Sequence, residues 1–119
     1  RFSFSFFGQN KYSVYAPRYS DEKKTISCED LSELIQYDGS YLSSSTSYSS
    51  SAIYRIKWYK YENMFFALVK FKSYGKEYVY GGWEYNYNTY SDLKDNFDKS
   101  NSKGTFFDKY IRNAKVNCN

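Results

Sequence analysis

Ala52-Ile53-Tyr54-Arg55-Ile56-Lys57-Trp58 is followed by Phe65-Phe66-Ala67-Leu68-Val69-Lys70-Phe71 and then by Tyr78-Val79-Tyr80. Each stretch alternates in polarity, as a strand does when successive side chains point to opposite faces. Ala52, Tyr54, Ile56 and Trp58 are expected on one face of the first strand, with Arg55 and Lys57 on the other. Phe65, Ala67, Val69 and Phe71 form the inward face of the second, with Lys70 and Lys72 outward. Tyr78 and Tyr80 share a face of the third. Tyr61-Glu62-Asn63 and Ser73-Tyr74-Gly75 read as turns, Gly75 supplying permissive backbone. Strands this close in sequence pair most simply as an antiparallel meander.

Downstream, Gly81-Gly82 is expected to end the sheet. Asn88 reads as the N-cap of a helix on which Tyr90, Leu93 and Phe97 recur on one face. Asp98 to Asn101 is a short connection, and Ser102 caps a second helix with Phe106, Phe107, Tyr110 and Ile111 in one stripe. The expected class is therefore α+β: a three-stranded antiparallel meander covered by two C-terminal helices, over residues 52–119.

Upstream lies a different kind of sequence. Phe2, Phe4 and Phe6 alternate with serines, Gly8-Gln9-Asn10 reads as a turn, and Lys11 to Ala16 as a second strand that Pro17 ends, so a hairpin is expected. Ser27 to Tyr37 reads as a helix capped by Ser27, with Leu31, Leu34 and Ile35 on one face. Residues 1–37 thus form an aromatic extension of hairpin and helix. Eight of the twelve residues from Ser40 to Ser51 are serine, and residues 38–51 read as a Ser/Tyr-rich loop dividing the two parts.

The later part resembles the KTSC domain family, a small module attached to the C-terminus of some bacterial lysyl-tRNA synthetases and also free-standing in bacteria and bacteriophages. The resemblance is carried by Ser51-Ala52-Ile53, Ile56-Lys57-Trp58, Ala67-Leu68-Val69-Lys70-Phe71, Tyr78-Val79-Tyr80, Tyr90-Ser91-Asp92-Leu93 and, most specifically, Gly104-Thr105-Phe106-Phe107-Asp108-Lys109-Tyr110-Ile111-Arg112. It spans residues 50–113. Trp58 and Asp108 stand where the family has Tyr and Asn, and Gly82-Trp83 where it has Val-Pro; residues 1–49 have no counterpart. The resemblance implies no catalytic residues. Attachment to a synthetase implies RNA binding, and presence in phages implies a virion or host-takeover component.

Composition narrows the chemistry. The chain has 119 residues, no histidine, and 16 Tyr, 10 Phe and 2 Trp, so aromatic rings must fill much of the core. The commonest general base and metal ligand is missing. Gly75 and Gly81-Gly82 lack the motif of a phosphate-cradling loop, and Asp92, Asp95 and Asp98 lack EF-hand spacing. Ser102-Lys103-Gly104 could set backbone N–H groups near an anion, but such residues more often cap a helix. The expectation is a non-enzymatic protein with no cofactor, metal or small-molecule substrate. No apolar run approaches the about 20 residues that span a bilayer. The two cysteines, Cys28 and Cys118, either pair or stay as thiols, the ordinary state in a reducing compartment.

Two functional readings remain. In the first, the chain is a phage-encoded structural or interaction protein of the virion or host cytoplasm. It meets a protein partner, or itself, through Phe2, Phe4, Phe6, Phe7, Tyr41 and Tyr48, rings that need cover. In the second, it binds single-stranded RNA or tRNA through the outward sheet face, where Arg55, Lys57, Tyr59, Lys70 and Lys72 interleave charge with an aromatic ring. Residues 52–119 carry twelve basic and seven acidic side chains, against five and six in residues 1–51. Phe66, Leu68 and Val79 share the outward face, so part of it is expected to be covered by residues 1–49.

Overall fold

The alternation over residues 52–80 folds into antiparallel strands, but the sheet has four of them. A computed structural model describes residues 2–6, 15–19, 27–47, 50, 52–73, 75 and 77–116, the first two segments as backbone. In chain order the elements are β1 (Phe2–Phe6), β2 (Tyr15–Tyr19), α1 (Cys28–Asp38), β3 (Ser40–Thr46), β4 (Ile53–Tyr61), β5 (Met64–Phe71), β6 (Glu77–Glu84), α2 (Tyr87–Lys99) and α3 (Lys103–Tyr110), with a 3-10 turn at Arg112–Ala114. The class is α+β. β3-β4-β5-β6 form an antiparallel meander, and β1 pairs with β2 in a separate two-stranded sheet.

The segment read as a loop supplies the fourth strand. β3 pairs with β4 from Ser40 opposite Lys60 to Thr46 opposite Arg55. Serine has little intrinsic preference for strands, so tertiary partners decide the matter. The Trp58 Nε1–H donates to Ser45 Oγ at 3.0 Å, and the hydroxyls of Ser43 and Tyr90 are hydrogen-bonded. Gly39 makes the tight corner between α1 and β3. A Cβ there would fall 2.4 Å from the Ile35 carbonyl oxygen and 2.6 Å from that of Lys60.

Bulges in β4 and β6 re-phase the alternation. Ile53 opposes Phe71 and Arg55 opposes Lys70, so Tyr54 is an extra residue in β4. Ile53, Ile56 and Trp58 therefore go into the core, while Ala52 and Tyr54 are exposed, contrary to the unbroken alternation. In β6, Gly81 opposes Phe66 and Trp83 opposes Phe65, leaving Gly82 as the extra residue. Both glycines have positive φ, +114° and +87°, which they adopt without a Cβ penalty. They carry the strand through a bulge rather than ending it, and turn Trp83 to the face that holds Tyr80.

That face packs against α2 and α3. Tyr90, Leu93, Phe97, Phe107 and Ile111 meet Ile56, Trp58, Phe65, Val69 and Tyr80 there. Asn86 caps α2, accepting from the Asn88 and Thr89 N–H groups, so the cap lies two residues before the expected Asn88. Ser102 caps α3 as expected.

The opposite face is covered as well. Leu31 and Ile35 of α1, 1% and 0% exposed, pack on Tyr59, Met64, Phe66, Leu68, Val79 and Val116. Each such aliphatic contributes about 1.5–3 kcal/mol when removed from water. The molecule is thus layered as α1, sheet, and α2 with α3, and α1 is the cover expected from residues 1–49. Ser27 caps α1 as expected, its hydroxyl accepting from the Asp30 N–H at 3.0 Å. Ser32 takes the buried position assigned to Leu34, which is half-buried. Cys28, the first residue of α1, is disulfide-bonded, and the chain has one other cysteine, Cys118.

The N-terminal hairpin forms with a later second strand than expected. Pro17 lies within β2, opposite Phe4, in an outer strand, where a residue without an N–H is tolerated. The expected turn at Gly8-Gln9-Asn10 and the start of the second strand at Lys11 lie outside the described residues.

Candidate functional site: a charged cleft beside α1

The basic row expected on the outward face is present, but it is walled in. Arg55 opposes Lys70 across the β4–β5 ladder, and Lys70 opposes Glu77 across the β5–β6 ladder. Lys57 follows Arg55 by two residues on the same face. Because α1 lies over this side of the sheet, the row becomes the floor of a cleft of about 360 Å³. The α1 wall presents Glu29, Ser32, Glu33 and Gln36, a spacing that places all four on one helical stripe.

Glu77 organises the floor. Its Oε2 lies 3.4 Å from Arg55 Nη2 and 3.7 Å from Lys57 Nζ, and all three side chains are partly exposed. Such half-wet pairs contribute little to stability and leave the charges able to meet a ligand. Arg55 Nε is buried without a hydrogen-bond partner, leaving a charge-assisted donor unused. On the wall, Gln36 Nε2 donates to Ser32 Oγ at 3.0 Å and to the Ser32 carbonyl at 3.2 Å, which fixes the amide.

Of the five expected nucleic-acid contacts, Arg55, Lys57 and Lys70 converge here. Tyr59 does not offer a face to a base. It is 9% exposed and packed in the α1 core, with the Tyr41 ring edge-on at 5.6 Å. Burial, aided by the Glu77 charge, pushes its phenol above the ordinary 10.0. Lys72 lies apart, donating to the Ser50 carbonyl. The basic-aromatic face thus forms an interface with α1, which supplies the partial cover expected from residues 1–49. Of the expected partner contacts, Tyr41 is 57% exposed; Phe2, Phe4 and Phe6 lie on β1, and Phe7 and Tyr48 lie outside the described residues.

The acids of the cleft are not among the residues singled out from the sequence. Glu77 is findable by stepping back from the Tyr78/Tyr80 alternation. Glu29 and Glu33 are findable only by knowing that α1 docks on this face. A second cleft of about 350 Å³ borders the start of α3. There the Lys103 ammonium donates to the carbonyls of Asp98 and Ser100, and Asp108 holds Arg112 at 2.7 Å. These charges serve helix ends.

Among the described residues no group of three His, Cys, Asp or Glu side chains is placed to hold a metal ion, and no helix is long and apolar enough to cross a membrane. Fold and cleft together define a layered α+β domain with a mixed-charge groove under its first helix. No family model matches the chain, and neither a curated protein nor a solved structure matches it.

Proposed function

We propose that this chain is a non-enzymatic interaction protein whose cleft holds a short charged segment of a protein partner. The observation that carries the reading is the composition of the cleft: Arg55, Lys57 and Lys70 on the floor, faced by Glu29 and Glu33 on the α1 wall with Glu77 between. A partner segment bearing an acid and a base finds a complement on both sides. A polyanion meets three carboxylates, and stacking a base on Tyr59 requires α1 to leave. Protein is therefore favoured over RNA. The KTSC-like motifs of residues 50–113 support a small interaction module, and with them goes the reading of a phage-encoded virion or assembly component. The disulfide at Cys28 supports work in an oxidising setting, such as a released virion, over the host cytoplasm.

Peptides selected by display on the wild-type protein are expected to carry both charge signs. Lys57→Glu combined with Lys70→Glu should weaken their binding by about tenfold or more, as loss of close charge pairs does. Binding indifferent to both substitutions, or retention of single-stranded RNA that falls steeply with salt, overturns the reading.

A further inference from the structure

The two edges of the four-stranded sheet are finished differently. The β6 edge is closed: Lys115 forms a bridge with Tyr80, and the Val116 N–H donates to the Val79 carbonyl at 3.0 Å. β3, at the other edge, pairs only with β4 among the described residues. The Ser47 N–H donates to the Tyr54 carbonyl at 3.2 Å, and this sets the phase of the ladder. Bonded pairs alternate along antiparallel strands, so Ser43 and Ser45 bond to β4 while the backbone groups of Ser44 and Thr46 aim away from the sheet. Ser44 and Thr46 are exposed. The strand reads Ser-Tyr-Leu-Ser-Ser-Ser-Thr, with none of the lysines or prolines that ordinarily guard an edge. Its one irregularity is the bulge at Leu42, which leaves residues 43–47 as the straight run.

We propose that this run pairs antiparallel with the same run of a second copy, joining the two sheets into one. Charge selects the occupant. The chain carries a net +4, so a contact between two copies is favoured where it brings no charges together. β3 has no charged residue, and a two-fold axis at Ser45 brings no like charges opposite one another across the new ladder. In that register Ser44 opposes Thr46 of the other copy. Both pairs then exchange N–H···O bonds in each direction, so every outward group of the run is used. The contact is self-complementary, as a two-fold interface must be. A charged extended peptide gains no complement from these hydroxyls. The surface lies outside the cleft, so it stands or falls independently of the function proposed above.

Sedimentation equilibrium is expected to show the mass rising toward twice the monomer with concentration, and hydrogen exchange at Ser44 and Thr46 to slow in parallel. Ser44→Pro removes an outward donor without touching the bonds to β4, and should raise the dissociation constant about tenfold or more, a loss of 1.4 kcal/mol. Thr46→Lys installs an edge guard and should act alike, deciding the matter if the proline variant loses its near-ultraviolet circular dichroism. A wild-type protein that stays monomeric at about 1 mM overturns the proposal. So does a dimer indifferent to Thr46→Lys, or one that protects amides elsewhere.

Discussion

Gly81→Ala tests the core arrangement at its tightest point. Gly81 has a φ of +114°, and a Cβ there would fall 2.6 Å and 2.7 Å from Cζ3 and Cε3 of Trp83 and 2.9 Å from the Phe65 carbonyl oxygen. Neither neighbour is free to yield. The Trp83 ring is fully buried, 5.0 Å from the Phe65 ring and 6.4 Å from that of Trp58, and the carbonyl belongs to the central strand. Two costs follow. Holding a non-glycine residue in this backbone region costs roughly 1–3 kcal/mol, and forcing an extra methyl into a packed core about 1–3 kcal/mol more. Their sum, about 2–6 kcal/mol, is a large part of the roughly 5–15 kcal/mol that stabilises an ordinary domain.

Both tryptophans are buried, so urea unfolding followed by their fluorescence reports on this region. The midpoint should fall with an unchanged slope, the mark of altered stability rather than altered compactness. Gly104→Ala provides the opposite sign. That glycine lies in the first turn of α3, and the space a Cβ would occupy has no neighbour within 4 Å, so alanine should stabilise by up to about 1 kcal/mol through helix propensity. A Gly81→Ala protein within about 1 kcal/mol of wild type would refute the reasoning: Trp83 would not lie over Gly81, and the bulge would not be what delivers the ring to the core.

Three further outcomes are expected. Cys28→Ser, or reduction, should cost about 2–5 kcal/mol, as loss of a native disulfide does in a small domain; thermal unfolding with and without reductant measures it, and coincident curves would deny the crosslink that role. Ser45→Ala should cost about 1–3 kcal/mol by leaving the buried Trp58 Nε1–H without its acceptor, and an unchanged urea midpoint would show that the indole finds another. Stability should fall at alkaline pH. Burial is the chief cause that raises the phenols of Tyr59, Tyr61, Tyr80 and Tyr90 above the ordinary 10.0. Their contribution is whole below pH 10.0, where the unfolded phenols titrate, and is lost as the pH climbs through the higher folded values. Unfolding midpoints that stay level well above pH 10 would contradict it.

What the sequence made legible follows from how far each signal depends on distant partners. The inward row Phe65, Ala67, Val69 and Phe71 shares a face because period-2 alternation is a local property of a strand. The α2 and α3 stripes were equally local. The bulges at Tyr54 and Gly82 were not, since one inserted residue puts the assignments on its two sides out of phase without changing composition. β3 was the least legible element: Ser43 and Ser45 become strand residues by meeting Tyr90 and Trp58, which lie far along the chain. The cleft divides the same way. Its cations followed from alternation within β4 and β5, whereas the acids of its wall depend on where α1 docks.

That docking did leave one trace. Met64, Phe65, Phe66, Ala67, Leu68 and Val69 are consecutive and apolar, and all six are buried. A strand covered on one side alternates, and a strand covered on both sides reads as an unbroken apolar run. A two-layer sandwich would leave Phe66 and Leu68 in water, at about 1.5–3 kcal/mol each. The run therefore demands a second cover, and Leu31 with Ile35 on α1 meets that demand. The same cover closes the stacking face over Tyr59 and sets Glu29 and Glu33 opposite the cations. The continuous run in β5 is thus the feature that turns an open basic surface into a mixed-charge cleft.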